Sequence, residues 1–258
     1  MMNQLVKNLM MVKKQYVKRP LVSGTVLDRY LFNFRVNLDT LEKHMPTLKW
    51  LEPRNAHGYG VVSLCMILFN GLTIQPFPMI GINTVACAYR YSVMDVSGKE
   101  PVPTVYLMGR NTDSTFVNCF GPLILSSRLG KTTSTIKKSK EGSLDVDIKS
   151  SDARTVISAT ILQSKPQRRS ALFASTKEFK DFMSDGLVSY TPGLIDGKYA
   201  RCDFEGAAFN YEQIDAKVSK SYLAEDWGDE DFVFDSAYKT VNVQEYNLRN
   251  KGMYNGDL

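Results

Sequence analysis

The residues best suited to chemistry stand in the stretch 121–133, GPLILSSRLGKTT, an apolar run that ends in Arg128, Gly130 and Lys131. Its tetrad Leu129-Gly130-Lys131-Thr132 is like the end of a phosphate-binding loop, where backbone amides cradle phosphate and a lysine neutralises it. That loop needs another glycine five residues before Gly130, and Leu125 stands there. A helix should also follow, whereas residues 132–136 favour a strand. Ser134-Thr135-Ile136-Lys137 has the spacing of a penicillin-recognising motif, but alternation makes it an ordinary strand segment and no second motif supports it. His44 and His57 are the two histidines, and both are expected at the surface. No Cys-x-x-Cys pair, acidic ligand cluster or dinucleotide glycine fingerprint is present, so neither a metal nor a cofactor is expected.

Charge narrows the function further. Five of the 32 basic residues, Lys7, Lys13, Lys14, Lys18 and Arg19, lie in the first 20 positions, which hold no acid. The other 238 residues carry 27 basic and 27 acidic groups, so the body shows no basic stripe of the kind a nucleic-acid partner requires. No apolar segment is long enough for an integral membrane helix. Cys65, Cys87, Cys119 and Cys202 are widely spaced and nothing before them resembles a secretory signal. They read as reduced, buried thiols of a cytoplasmic protein.

The elements that would position Lys131 are mostly strands. In the arm 1–20, Leu5, Leu9, Val12 and Tyr16 recur at helical spacing with lysines on the other faces. Residues 25–36 are aromatic-rich and strand-like, and 37–45 form a short helix that Pro46 terminates. Residues 59–74 read as a long strand with a bulge at Gly71; in 83–94, Val85, Cys87, Tyr89, Tyr91 and Val93 alternate onto one face. A short strand, 104–108, leads to a helix over 113–125 that Gly121-Pro122 should interrupt. Strands 132–138 and 144–149 flank the turn Lys140-Glu141-Gly142, strand 154–163 follows, and 165–170 is a loop. Ser175 or Thr176 caps a helix over 177–184 that Gly186 stops. Strands then recur at 188–190, 199–204, 214–223, 232–234 and 241–246, and the acids between Glu225 and Asp235 mark an exposed loop. The resulting expectation is a mainly β chain: one antiparallel, closed or nearly closed β-barrel over 21–250 with a few peripheral helices, preceded by the basic arm 1–20 and followed by a tail, 251–258.

This order of elements resembles the acetoacetate decarboxylase-like superfamily, and more specifically its poorly characterised side branch. Phe34-Arg35 through Leu41 and Pro46 is similar to that family's tyrosine, arginine, aspartate, leucine and proline pattern, and Phe179 through Ser189-Tyr190-Thr191-Pro192 resembles the side branch. The similarity runs over about residues 20–225. It implies a lysine amine that attacks the ketone of a small keto acid; the protonated imine then accepts the electrons released as carbon dioxide leaves, without cofactor or metal. Such an amine must be unprotonated near neutral pH, which an apolar pocket favours by disfavouring the ammonium form.

Carried over residue by residue, the resemblance makes Lys131 the catalytic amine. The second lysine of the family is Thr132 here, its glutamate falls at Val85, its other acid near Cys65 and its N-terminal arginine near Leu27. A cavity lined by Leu27, Cys65, Val85 and Tyr89 would desolvate Lys131, but it lacks the acids that position a β-keto carboxylate. Arg90, Arg110 or Arg128 would contact the carboxylate if one points inward; the assigned substrate-binding positions are Leu27, Cys65, Val85, Tyr89, Arg128 and Thr132. The alternative is a non-catalytic small-molecule-binding β-barrel whose cavity takes an apolar or aromatic ligand, with Lys131 an exposed lysine at a strand entrance. The resemblance also implies a homo-oligomer.

Overall fold

The computed structural model describes residues 21–74, 77–162, 169–206, 209–228 and 231–256, and these are mainly β. The basic arm 1–20 and most of the expected loop 165–170 lie outside the described residues.

Three long strands form the centre: β1 (Leu21–Val36), β3 (Gly60–Ile74) and β4 (Phe77–Asp95). Their sequences are apolar on both faces. In β1, Tyr30, Phe32, Phe34 and Val36 enter one core, while Val26 and Leu31 enter a second. In β3, Leu64 and Met66 face the first core, and Cys65, Ile67 and Phe69 the second. A strand buried on both faces reads as a nearly continuous apolar run, as β3 does.

The wall is shared by two closed rings of hydrogen-bonded strands. One runs from β1 through β3, β4, β6 (Arg110–Thr112), β7 (Leu129–Lys138), β8 (Leu144–Ser150), β9 (Thr155–Leu162), β12 (Tyr211–Lys220) and β13 (Phe232–Thr240) back to β1. The other leaves β4 for β5 (Val102–Leu107), then β10 (Val188–Pro192), β11 (Lys198–Phe204) and β14 (Gln244–Asn255), and returns to β1. A short strand, β2 (Leu51–Pro53), pairs with the end of β4. The expected closed barrel is therefore two rings fused along three strands. Pairing is antiparallel except at β5–β10 and β6–β7, which are parallel. Parallel neighbours need a crossover, and α2 (Thr115–Leu125) supplies the one between β6 and β7.

Helix boundaries follow local chemistry where capping decides them. Helix α1 (Leu38–His44) has Asn37 accepting from the Asp39 amide at 2.9 Å, and α3 (Thr176–Asp185) has Ser175 accepting from the Glu178 amide at 3.1 Å and stops at Gly186. Helix α2 departs from expectation by running unbroken through Gly121-Pro122 until Ser126 turns left-handed at φ 56°. Pro122 does remove a backbone donor. Gly121, however, is a close-packing residue, since a Cβ there would meet Leu129 Cδ2 at 2.9 Å.

The last third contains three further corrections. Strand β12 ends at Lys220, and residues expected to continue it or to form an acidic loop fold as α4 (Tyr222–Trp227), which buries Leu223 and stacks Trp227 on His44 at 4.3 Å. Asp235 is buried in β13, where it accepts from Ser170 Oγ and, at 2.7 Å, from the Ala171 amide. Residues 251–255 of the expected tail belong to β14 and pair with β11.

Cys65, Cys87 and Cys202 are buried as expected, but Cys119 is exposed, on the face of α2 that also shows Phe116, Phe120 and Leu123 to solvent. Burial, reinforced by Cys65 and Asp113, pushes the Cys87 thiol up to about 12. Only the thiolate is nucleophilic, so at pH 8 iodoacetamide should label Cys119 and leave Cys87 unmodified until the chain unfolds. Peptide mass mapping over time checks this, and equal labelling of the two in native protein would contradict the packing.

Candidate functional site

The second ring encloses a cavity of about 160 Å³. Its floor is the shared wall, with Cys65, Ile67 and Phe69 from β3 and Ala86, Ala88 and Arg90 from β4. Met183 and Ser184 of α3 and the exposed Leu187 also line it. The volume is well below the ~300–1,000 Å³ of drug-sized sites. That size suits a small ligand rather than a drug-sized one.

Three guanidinium groups enter this space: Arg29, Arg90 and Arg110. No acid, lysine or histidine is among the described lining residues. Arg90 is directed there by period-two alternation, because its neighbours Tyr89 and Tyr91 both enter the other core. Ala86 and Ala88 share its face and leave room for the long side chain. Arg29 arrives by a register shift: Val26 pairs with Phe69 and Asp28 with Leu68, so Leu27 is the extra residue of a β-bulge. The bulge puts Val26 and Arg29 on one face and leaves Leu27 44% exposed.

The three arginines differ in what satisfies them. Arg29 Nε donates to Cys65 Sγ at 3.2 Å, and the guanidinium lies 4.8 Å from the centre of the Phe209 ring and 6.0 Å from that of Tyr211. Arg110 Nη2 donates to Ser189 Oγ at 3.0 Å. The Nη1 atoms of Arg90 and Arg110 are buried and have no hydrogen-bond partner. An unmet buried donor costs ~1–3 kcal/mol, more on a charged group.

Electrostatics follow from this crowding. Burial, and then the neighbouring Arg29 charge, pull Arg90 below its ordinary value. For Arg29, burial acts downward but is outweighed by Cys65, Tyr211 and Tyr246, so its net direction is up. Burial raises the Tyr211 and Tyr246 phenols against the pull of the arginines, Arg29 and Arg90 on Tyr211, Arg110 and Arg29 on Tyr246. Both phenols therefore stay neutral and can donate hydrogen bonds. The site is a small, cationic, apolar-walled cavity, an arrangement chemically suited to an anion.

Of the residues singled out from sequence, Cys65 lines the cavity; Lys131, Leu27, Val85, Tyr89, Arg128 and Thr132 do not. The Lys131 amine donates to the backbone carbonyl of Asp113. Val85 packs against the first core, and its amide donates to Asp113 Oδ1 at 2.9 Å. Tyr89 is in that same core, its hydroxyl donating to the Val156 carbonyl at 2.8 Å. Arg128 is exposed and pairs with Asp196 at 3.2 Å, while Thr132 is buried in β7. Gly130 has a packing role, because a Cβ there would collide with Asn111 Oδ1, and Asn111 lines the cavity. Arg90 and Arg110, two of the three arginines named as candidate carboxylate contacts, line the cavity; Arg29, Tyr211 and Tyr246 line it without having been singled out. The signal for Arg29 is its phase, one residue off Tyr30, Phe32 and Phe34 and in step with Leu31.

No group of three or more metal-ligating side chains forms among the described residues, and no helix of theirs is long and apolar enough to cross a membrane. No family model matches the chain, and no curated protein matches it in sequence. Solved structures do match. An acetoacetate decarboxylase-like enzyme from Sphingomonas wittichii superposes with a TM-score of 0.57 at 7% identity over 92% of each chain. Acetoacetate decarboxylase from Legionella pneumophila gives 0.57 at 7% identity over 90% of this chain and 86% of its own. The enduracididine biosynthesis enzyme MppR, in a structure complexed with pyruvate, gives 0.53 at 13% identity over 94% and 92%. The chain thus has the acetoacetate decarboxylase-like fold.

Proposed function

We propose that the protein binds a small carboxylic acid of the keto-acid class in the arginine cavity. The observation that carries this is the convergence of the guanidinium donors of Arg29, Arg90 and Arg110 on a space whose described lining holds no acid. A carboxylate satisfies such donors with charge-assisted bonds, and Arg is the side chain whose planar fork matches it. The ligand carboxylate meets Arg90; the neutral hydroxyls of Tyr211 and Tyr246 are donors for a keto oxygen; Ile67, Phe69 and Leu248 receive the carbon chain. Support comes from the fold, since MppR in its pyruvate complex has the same architecture.

The rival reading is imine chemistry at Lys131 on the same class of acid. The position of the Lys131 amine, on the Asp113 carbonyl and outside the cavity lining, favours binding without that chemistry. Calorimetry with pyruvate, 2-oxobutanoate and 2-oxopentanoate, run beside borohydride trapping and mass spectrometry, separates the two. Saturable binding with no reduced adduct is the expected result. An adduct at Lys131 would transfer the assignment to a Schiff-base lyase, and no binding across the panel would remove both.

A further inference from the structure

The carboxylate reading accounts for one anionic group, and the cavity holds charge for more. Arg29 already has protein partners: the Cys65 sulfur at 3.2 Å and the aromatic faces of Phe209 and Tyr211. The Nη1 atoms of Arg90 and Arg110 have none, and these two residues come from different strands, β4 and β6. Arg110 is drawn toward β10 by its bond to Ser189, whereas Arg90 stands with Arg29. A single carboxylate on Arg90 would leave the Arg110 charge with only the neutral Ser189 hydroxyl as a partner and no counter-ion in the cavity. Like charges in a low-dielectric space repel far more strongly than in water, so a ligand with one negative charge among three arginines leaves most of that repulsion in place.

We infer that the natural ligand is a small acid carrying two anionic groups, one held by Arg90 beside Arg29 and the other by Arg110 beside Ser189 and Tyr246. The second group is a carboxylate or a phosphate, both of which accept two parallel hydrogen bonds from a guanidinium. The cavity of about 160 Å³ keeps the ligand short. This inference rests on the carboxylate reading and sharpens it to a ligand class.

The test is calorimetry on the full chain with matched pairs at one ionic strength: 2-oxoglutarate against 2-oxopentanoate, and phosphoenolpyruvate against pyruvate. At least one member with two anionic groups should bind ten times more tightly than its partner or better, and which pair shows it identifies the second group. Arg110→Gln should bring that ratio to within about threefold, and Arg110→Lys, which keeps the charge, should restore part of it. The comparison on the parent protein stands even if a variant fails to fold. Ratios near one in both pairs, with the single-charge acids still binding, overturn this inference and leave the carboxylate reading intact. If no acid binds, both fall.

Discussion

Arg90→Met unfolds at a higher temperature than the parent in ligand-free buffer and binds keto acid at least ~30-fold more weakly. The two effects have one cause. Arg90 is buried beside the Arg29 charge, its Nη1 has no acceptor, and its ordinary value is pulled down by that burial and that neighbour. Methionine fills a similar volume without charge, and exchanging a buried ion for an apolar isostere typically changes stability by about 0 to +4 kcal/mol. For a chain of this size each kcal/mol shifts Tm by about 2–4 °C. In the complex the sign reverses, because losing one partner of a desolvated charge pair costs about 2–5 kcal/mol of affinity. Calorimetric melting and titration on the same preparation measure both quantities. A lower Tm without ligand would mean the guanidinium is already satisfied by protein, and an unchanged Kd would take Arg90 out of the site. A site that is destabilising when empty is expected where binding groups are held ready for a ligand.

Phe179→Ala loses about 3–5 kcal/mol of stability, the range for emptying a large aromatic position. Phe179 is fully buried on α3, stacked on Tyr238 with centroids 3.6 Å apart and planes 7° from parallel, and met edge-on by Phe173 at 5.2 Å and Tyr211 at 5.1 Å. No small shift of one neighbour fills the void, since each ring also packs against the others. Tyr211 lines the cavity, so the variant should weaken keto-acid binding as well, and Phe179→Leu should recover part of both losses. Urea unfolding reads the first effect and titration at saturating stability reads the second. A loss under 1 kcal/mol would show that this cluster does not hold α3 to the body.

Much of the local structure was written in the chain. Period-two alternation in residues 83–94 put Val85, Cys87, Tyr89, Tyr91 and Val93 in one core, as observed. Asn37, Ser175 and Gly186 set helix ends by capping, and Lys140-Glu141-Gly142 turns between β7 and β8, with Gly142 at φ 90°. Where local preference and tertiary contact disagreed, contact won. Gly121-Pro122 has the composition of a break, yet α2 continues because Gly121 lets it lie against Leu129. The acidic stretch from Glu225 to Asp235 read as an exposed loop; Glu225 and Asp226 are exposed but lie in α4, and Asp235 is buried by amide and hydroxyl donors from residues more than sixty positions away.

The candidate site was less legible than the fold. Lys131 is conspicuous in one dimension because it follows an apolar run and a glycine, but both features serve packing, Gly130 against Asn111 and the run as α2. Leu27 was placed by carrying the family's N-terminal arginine over onto this chain, and a single bulge residue in β1 changes which side chains face the cavity. The sequence by itself determined the mainly β class, most element boundaries and the balanced charge of the body, because periodicity, capping and composition act over a few residues. The tertiary structure alone decided that two rings share β1, β3 and β4, and that Arg29, Arg90 and Arg110 meet in one of them. Those outcomes depend on strand register and on pairings between distant segments, which no local pattern encodes.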